Sequence, residues 1–348
     1  MLTFWRWFFI KKYVLTVVLL CLLIGLSAIS LFVGVIDIDL AALFSDKAGM
    51  ELKVFLLSRI PRLLAIICTG VGMSVAGLIM QQLCMNKFVS PTTGATIQSA
   101  QFGIMLSLVF IPNISMWGRM LFSFTTAILG TWIFVWFIQK IKFKDTVLVP
   151  LIGIMFGNVV GGVTSFLAYK FEVTQQLSSF LIGSFSLIIK GNYELVYMAA
   201  PLVIIALLYA NHFNIVGMGR DFSQNLGVNY KRILFLGLTL ASMITASVVS
   251  VVGQISYIGL IVPNIIAMFK GDKIRGTLID TALFGAVFVL TTDMIARSVI
   301  MPYELPIELI VGIFGSILFI GLLIYKINHG RKSISLKRAF SKEGGGCK

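Results

Sequence analysis

His212-Phe-Asn-Ile-Val-Gly-Met-Gly-Arg-Asp-Phe-Ser-Gln-Asn-Leu-Gly-Val-Asn-Tyr-Lys-Arg232 is a polar island between two apolar runs, each long enough to cross a bilayer. Arg220, Asp221, Ser223, Gln224 and Asn225 cannot enter hydrocarbon cheaply, so the island belongs at a membrane surface. Within it, Met218, Phe222 and Leu226 recur every fourth residue and make one apolar stripe on a short helix. Gly219 and Gly227 bracket that helix as its start and its C-cap. Such a stripe has to lie on lipid headgroups or in a groove of a second protein.

The 348-residue chain is 58% hydrophobic and 12% charged, with a mean hydropathy of +0.98. A soluble domain carries about twice that charged fraction, so the composition specifies an all-α polytopic membrane protein. In such a chain the net charge of +14 marks cytoplasmic loops and not a nucleic-acid surface. Cys21, Cys68, Cys84 and Cys347 show no paired spacing and read as small core residues, with no disulfide framework and no metal site. Arg6, Lys11 and Lys12 precede an apolar run from Tyr13 to Val35 that is longer than the core of a secretory signal, which makes it an uncleaved first helix.

Continuing outward from the island, about ten spans are predicted, near the length a bilayer core of roughly 30 Å requires. They cover Tyr13–Val35, Arg59–Cys84, Thr92–Ile111, Met116–Gln139, Thr146–Tyr169, Tyr193–Asn211, Lys231–Val252, Ser256–Phe269, Gly276–Arg297 and Glu304–Tyr325. The eighth is short and holds Gly259 and Pro263. Gln176–Phe185 reads as a surface helix. With the N-terminus inside, most Lys and Arg fall in cytoplasmic segments, and removing one span destroys that asymmetry downstream. Both termini and the island are therefore cytoplasmic, and the loop from Asp37 to Ser58 lies outside. Residues 1–330 form one transmembrane domain, and 331–348 a basic cytoplasmic tail facing lipid headgroups. Gly70, Gly72 and Gly77 in the second span, and Gly153, Gly157 and Gly161 in the fifth, offer faces where helix backbones can approach closely.

Catalytic candidates are few. His212 and His329 have no ligand-spaced neighbours, and no phosphate-binding Gly-rich loop occurs, so the chain is not expected to hydrolyse nucleotide. The clear intramembrane carboxylates are Asp280 and Asp293, too few to support an ion-coupled carrier; Asp293 stands four residues before Arg297, the favourable order for an ion pair on one helix. Arg59-Ile-Pro-Arg62 opens the second span, with Pro61 suited to a first helical turn, and Arg297 closes the ninth on the same outer side. Three guanidinium groups at one rim either fork onto a partner's carboxylates or snorkel to headgroups.

These pieces resemble a known family. Arg59-Ile-Pro-Arg62; Ala76-Gly-Leu-Ile-Met-Gln81 followed by Asn86; Asn225-Leu-Gly-Val-Asn-Tyr-Lys-Arg232; Gly259-Leu-Ile-Val-Pro263; Asp293-Met-Ile-Ala-Arg297; and Glu304-Leu-Pro306 before Gly312 and Gly315 are together similar to FecCD-type permeases. Those are the type II membrane subunits of ABC importers for iron-siderophores, haem and vitamin B12. The resemblance implies a homo- or hetero-dimer of ten-span subunits, two cytoplasmic ATPase subunits beneath and an extracellular or periplasmic binding protein above, in the bacterial plasma membrane, with no cofactor. It implies that Gly219, Arg220, Asp221, Phe222, Asn225, Leu226, Gly227 and Val228 couple to the ATPase. It likewise implies that Arg59, Arg62 and Arg297 meet acidic residues of the binding protein.

The wording of the island is most similar to catecholate-siderophore permeases, with haem or vitamin B12 transport as the alternative and a stand-alone secondary transporter as the rival. Gln81, Gln82, Thr92, Thr93, Gln98 and Ser99 are expected to line the path or to pack helices. The chain departs from the family at Gly219-Arg220, at Pro263-Asn264 and at Glu308, where Gly-Glu, Pro-His and Gly are usual.

Overall fold

A computed structural model describes residues 2–33, 49–92, 94–140, 148–191, 193–271 and 273–324. The expected tail, Thr93 and most of the loop after Asp37 lie outside them. Among the described residues, eight helices are long and apolar enough to span a membrane, and two shorter apolar helices bring the bundle to ten. In order these are α1 (Leu2–Phe32), α2 (Gly49–Val54), α3 (Ile60–Leu83), α4 (Thr96–Phe110), α5 (Met116–Lys140), α6 (Leu148–Lys170), α7 (Thr174–Leu181), α8 (Ala199–Val216), α9 (Arg220–Asn225), α10 (Tyr230–Val252), α11 (Ile258–Lys270), α12 (Ile274–Ser298) and α13 (Ile307–Ile324). The short helices α7 and α9 stand outside the count of spans, and the end of α2 belongs to the Leu52–Leu83 span. The surface helix falls at α7, which is exposed except for Leu177 and ends at Leu181; the chain then turns inward and buries Phe185 and Ile188.

Pro61 sits in the first turn of α3, as expected, but the helical course does not begin there. A π-turn at Phe55–Arg59 joins α2 to α3, so that Leu52–Leu83 runs as one apolar segment. Proline cannot donate to the carbonyl four residues back. The Leu57 carbonyl instead accepts from the Lys190 N–H at 2.9 Å, which lets the helix pass through Pro61 without an orphaned group. Pro263 sets the same problem inside α11. The Gly259 carbonyl that it cannot reach accepts from Gln81 Nε2 at 3.1 Å, and Leu260 O accepts from the same amide at 3.2 Å.

α3 and α10 are the most enclosed of the long helices, and for α3 glycine explains how. Lipid supplies no hydrophobic drive between helices, so contact area decides their packing. Gly70 of α3 lies on Gly285 of α12: a Cβ on Gly70 would stand 2.5 Å from the Gly285 oxygen. Gly77 lies on Gly259 of α11 so closely that a methyl there would overlap the Gly259 backbone. In α6, Gly157 faces Ala95 and Gln98 of the α4 region, whereas nothing stands within 4 Å of a Cβ on Gly161. The outward faces of α6 (Met155, Val159, Phe166) and α13 (Ile313, Ile317, Ile320) are exposed apolar surface.

Gly77→Ala should therefore disrupt the fold, at about 1–3 kcal/mol or more because backbone must move, whereas Gly161→Ala should be tolerated. Thermal aggregation of the detergent-solubilised protein, followed by fluorescence-detected size exclusion, tests this; equal behaviour of the two variants would refute the packing argument.

Candidate functional site

The island folds as the sequence predicts at its ends. Gly219 precedes α9 at φ +107°, a conformation that L side chains rarely adopt. At the other end Gly227 has φ +73° and donates to Gln224 O at 3.0 Å, while Val228 N donates to Ser223 O at 2.9 Å. This pair of bonds is a Schellman closure. Ser223 is fully buried, and its Oγ donates to Ile215 O at 3.0 Å and Gly219 O at 2.7 Å, pinning α9 back onto the end of α8. Asn229 Oδ1 accepts from Arg232 N at 3.1 Å and starts α10.

The anchored helix presents its apolar stripe outward. Met218 is 59% exposed, Phe222 48% and Leu226 55%. Arg220, Asp221 and Asn225 are exposed beside them. Three large apolar side chains held in water by a rigid turn form a surface that a protein groove can cover.

At the opposite end of the bundle the three arginines converge. Arg62 forks onto Glu304, Nη1 lying 2.9 and 2.8 Å from its two oxygens, and Nη2 reaches Asp293 Oδ1 at 2.8 Å. Arg297 pairs with Asp293 Oδ2 at 2.6 Å, one helical turn away. Its Nη1 donates to Ser30 O and Val33 O and its Nη2 to Ser30 Oγ, at the end of α1, while its buried Nε has no hydrogen-bond partner. Arg59 Nη1 donates to Val33 O at 2.5 Å.

The side chains of Arg297 and Asp293 are 2% and 1% exposed. Arg297 thus points inward, away from the rim where a partner would meet it, because a buried guanidinium needs every available acceptor. Ser186 Oγ also donates to Glu304 Oε2, at 2.8 Å. Burial alone would push the Glu304 carboxyl up; the Arg62 guanidinium, with the Ser186 hydroxyl, holds it below the usual carboxylate range.

The residues expected to line a path scatter. Gln81 is committed to α11, and Gln82 rests against Gly217 at the turn between α8 and α9. Thr92 shares a 2.6 Å hydrogen bond with Ser90, and Ser99 is buried, its Oγ donating to Ala95 O at 2.8 Å. Gln98 lies beside Gly157, and its Oε1 is buried without a hydrogen-bond partner. Thr93 is outside the described residues. Sequence reasoning missed three polar links: Glu304 as the partner of Arg62, Gln101 donating to Gln254 at 2.7 Å, and Lys270 with Asp280, to which Thr16 also donates at 2.5 Å. Each joins two different elements, the Lys270–Asp280 pair being ten residues apart and the others more than a hundred, so helical periodicity gives no signal.

A bundle of about ten apolar helices, with an anchored amphipathic turn at one surface and a cationic cluster at the other, defines a multi-pass membrane permease. The model of the FecCD transport family matches residues 19–325, and the chain belongs to that family. It is 46% identical over 306 residues to a petrobactin import system permease protein of Bacillus subtilis, covering 88% of this chain and 96% of that one. It is 36% identical over 310 residues to the petrobactin permease protein of Bacillus anthracis, with 89% and 91% covered. It is also 36% identical over 301 residues to the ferric-anguibactin permease protein of Vibrio anguillarum, with 86% and 95% covered. A solved metal-chelate type ABC transporter in an inward-facing conformation superposes with a TM-score of 0.76 at 25% identity, covering 90% of this chain and 99% of that one.

Asp293→Asn should leave Arg297 buried beside a neutral amide and cost about 3–5 kcal/mol of stability, more than Glu304→Gln at the partly exposed edge. The Glu304 contribution has a defined pH sign. Its folded value is lowered, so the stabilisation is present above the ordinary glutamate range and is lost as pH falls through the folded value. Melting of solubilised protein from neutral pH down to well below the ordinary glutamate value should show an acid-side loss that Glu304→Gln reduces; an identical profile in the variant would contradict this assignment.

Proposed function

We propose that this chain is the permease subunit of an ATP-driven importer that carries a ferric siderophore of catecholate type, with ferric petrobactin as the first candidate. It pairs with itself or with a similar permease around a central path. Two ATPase subunits sit beneath, and a binding protein delivers cargo above. The observation that carries this reading is the exposed stripe of Met218, Phe222 and Leu226 on a turn locked at both ends. A protein groove is favoured over lipid headgroups as its cover because the likeness to ABC importer permeases supplies a partner beneath. Likeness to the two petrobactin permeases supports the cargo class.

For docking above, we propose that Arg59 and Arg62 meet acidic residues of the binding protein, those acids replacing Glu304 on the Arg62 fork. Arg297 acts beneath them, holding the ends of α1 and α12 together. The gain from such exchange lies in specificity and encounter rate more than in affinity, since each side already has a charged partner.

Proteoliposomes holding the permease, its ATPase subunits and its binding protein should take up iron-labelled petrobactin only when ATP is present at the ATPase side. Replacing Phe222 and Leu226 together by Ala should cut uptake and ATPase co-purification by roughly tenfold or more, as loss of buried anchors does, with the permease still in the membrane. Arg59→Glu should reduce uptake while leaving ATPase co-purification intact. Uptake at the native rate in the Phe222/Leu226 double variant would refute the assigned coupling surface.

A further inference from the structure

The turn between α8 and α9 touches α3 at one side chain. A Cβ on Gly217 would stand 2.7 Å from Gln82 Cγ and 2.8 Å from Gln82 Cδ, with the Gln82 amide nitrogen nearer still. Gly217 has an ordinary right-handed helical conformation, φ −65° and ψ −13°, so its own backbone does not require glycine there. The absent side chain makes room for Gln82. The same turn leads through Gly219 into α9, whose position Ser223 fixes against Ile215 and Gly219.

Gln82 and Gly217 both border a cavity of about 240 Å³, lined also by Met85, Lys87, Pro263 and Ala267. The next residue, Gln81, grips the Gly259 carbonyl that Pro263 releases. From Gln82, one apolar helical segment continues to the Arg62 cluster. A side chain held against a turn at the edge of open volume has room to shift as the turn moves, and a contact with two discrete arrangements is what coupling between distant sites requires.

From this geometry we infer that Gln82 is the positioning residue through which displacement of the α8–α9 turn reaches α3, and thereby the arginines at the far end. This rests on the proposed importer function. Gln82 needs no contact with cargo for this role, and its length matters more than its amide. Movement of α9 presses Gly217 on Gln82, and the cavity decides how much of that movement α3 receives. A shorter side chain leaves slack. A methyl on Gly217 presses the contact in the resting state.

The test uses the complete complex of permease, ATPase subunits and binding protein in nanodiscs, with ferric petrobactin as the probe in matched proteoliposomes. Gln82→Ala should assemble with the ATPase and hydrolyse ATP, but stimulation of that hydrolysis by the loaded binding protein should fall about tenfold, with uptake falling in parallel. Gln82→Met, of similar length, should restore stimulation, and Gly217→Ala should disturb it in the native Gln82 background. Native stimulation in Gln82→Ala would overturn the inference. So would failure of both Gln82→Ala and the milder Gln82→Ser to assemble, because the contact would then merely hold the fold. Absence of ATP-dependent uptake by the native complex would instead refute the importer reading on which this rests.

Discussion

Close backbone contact of α3 with its neighbours is the constraint on which the rest of this molecule depends. Gly70 meets Gly285 of α12, and Gly77 meets Gly259 of α11, at distances that no side chain permits. In a bilayer, where lipid tails solvate apolar surface as well as protein does, such contact is a main source of helix association. It also sets the polar chemistry. Because α11 approaches so closely, Gln81 can supply the donor that Pro263 lacks. Because α12 does, Asp293 and Arg62 can meet.

The same contact gives α3 two working ends. Its outer end holds Arg62 within a cluster contributed by α1, α12 and the loop before α13. Its inner end carries Gln81 and Gln82 against α11 and the α8–α9 turn. Each buried charge at the outer end is answered from within the chain, as the cost of an unpaired ion in a low-dielectric setting demands. The inner surface differs, leaving three large apolar side chains uncovered. Energy from a docked ATPase would thus enter through apolar contact, and recognition at the other face would work through charge.

Much of this was legible in the sequence. Long apolar runs reveal spans because bilayer thickness fixes their length, and the island revealed itself by breaking one. Gly219 and Gly227 marked the ends of α9 because positive φ favours glycine. The short helices α4 and α11 were harder to delimit, since neither fills a bilayer alone. Pro61 marked the first turn of α3, but not that a π-turn continues the helix back to α2, with Lys190 satisfying the carbonyl that the proline abandons. The arginines show why sites are less legible than folds. Charge pattern placed Arg59, Arg62 and Arg297 at one rim, and the four-residue spacing gave the Asp293–Arg297 pair, but nothing in it showed that Glu304 and Asp293 also hold Arg62. Such pairings depend on which helices touch, and glycine contacts decided that.

If the close contact of Gly70 with Gly285 fixes α3 on α12, the two helices move as one body while the loosely packed α6 shifts around them. Distances between spin labels measure this directly, in a complex carrying one labelled protomer with labels at the exposed positions Leu56, Val299 and Tyr169. On ATP binding, the Leu56–Val299 distance should stay constant while the Leu56–Tyr169 distance changes. A change in Leu56–Val299 as large as that in Leu56–Tyr169 would contradict the account.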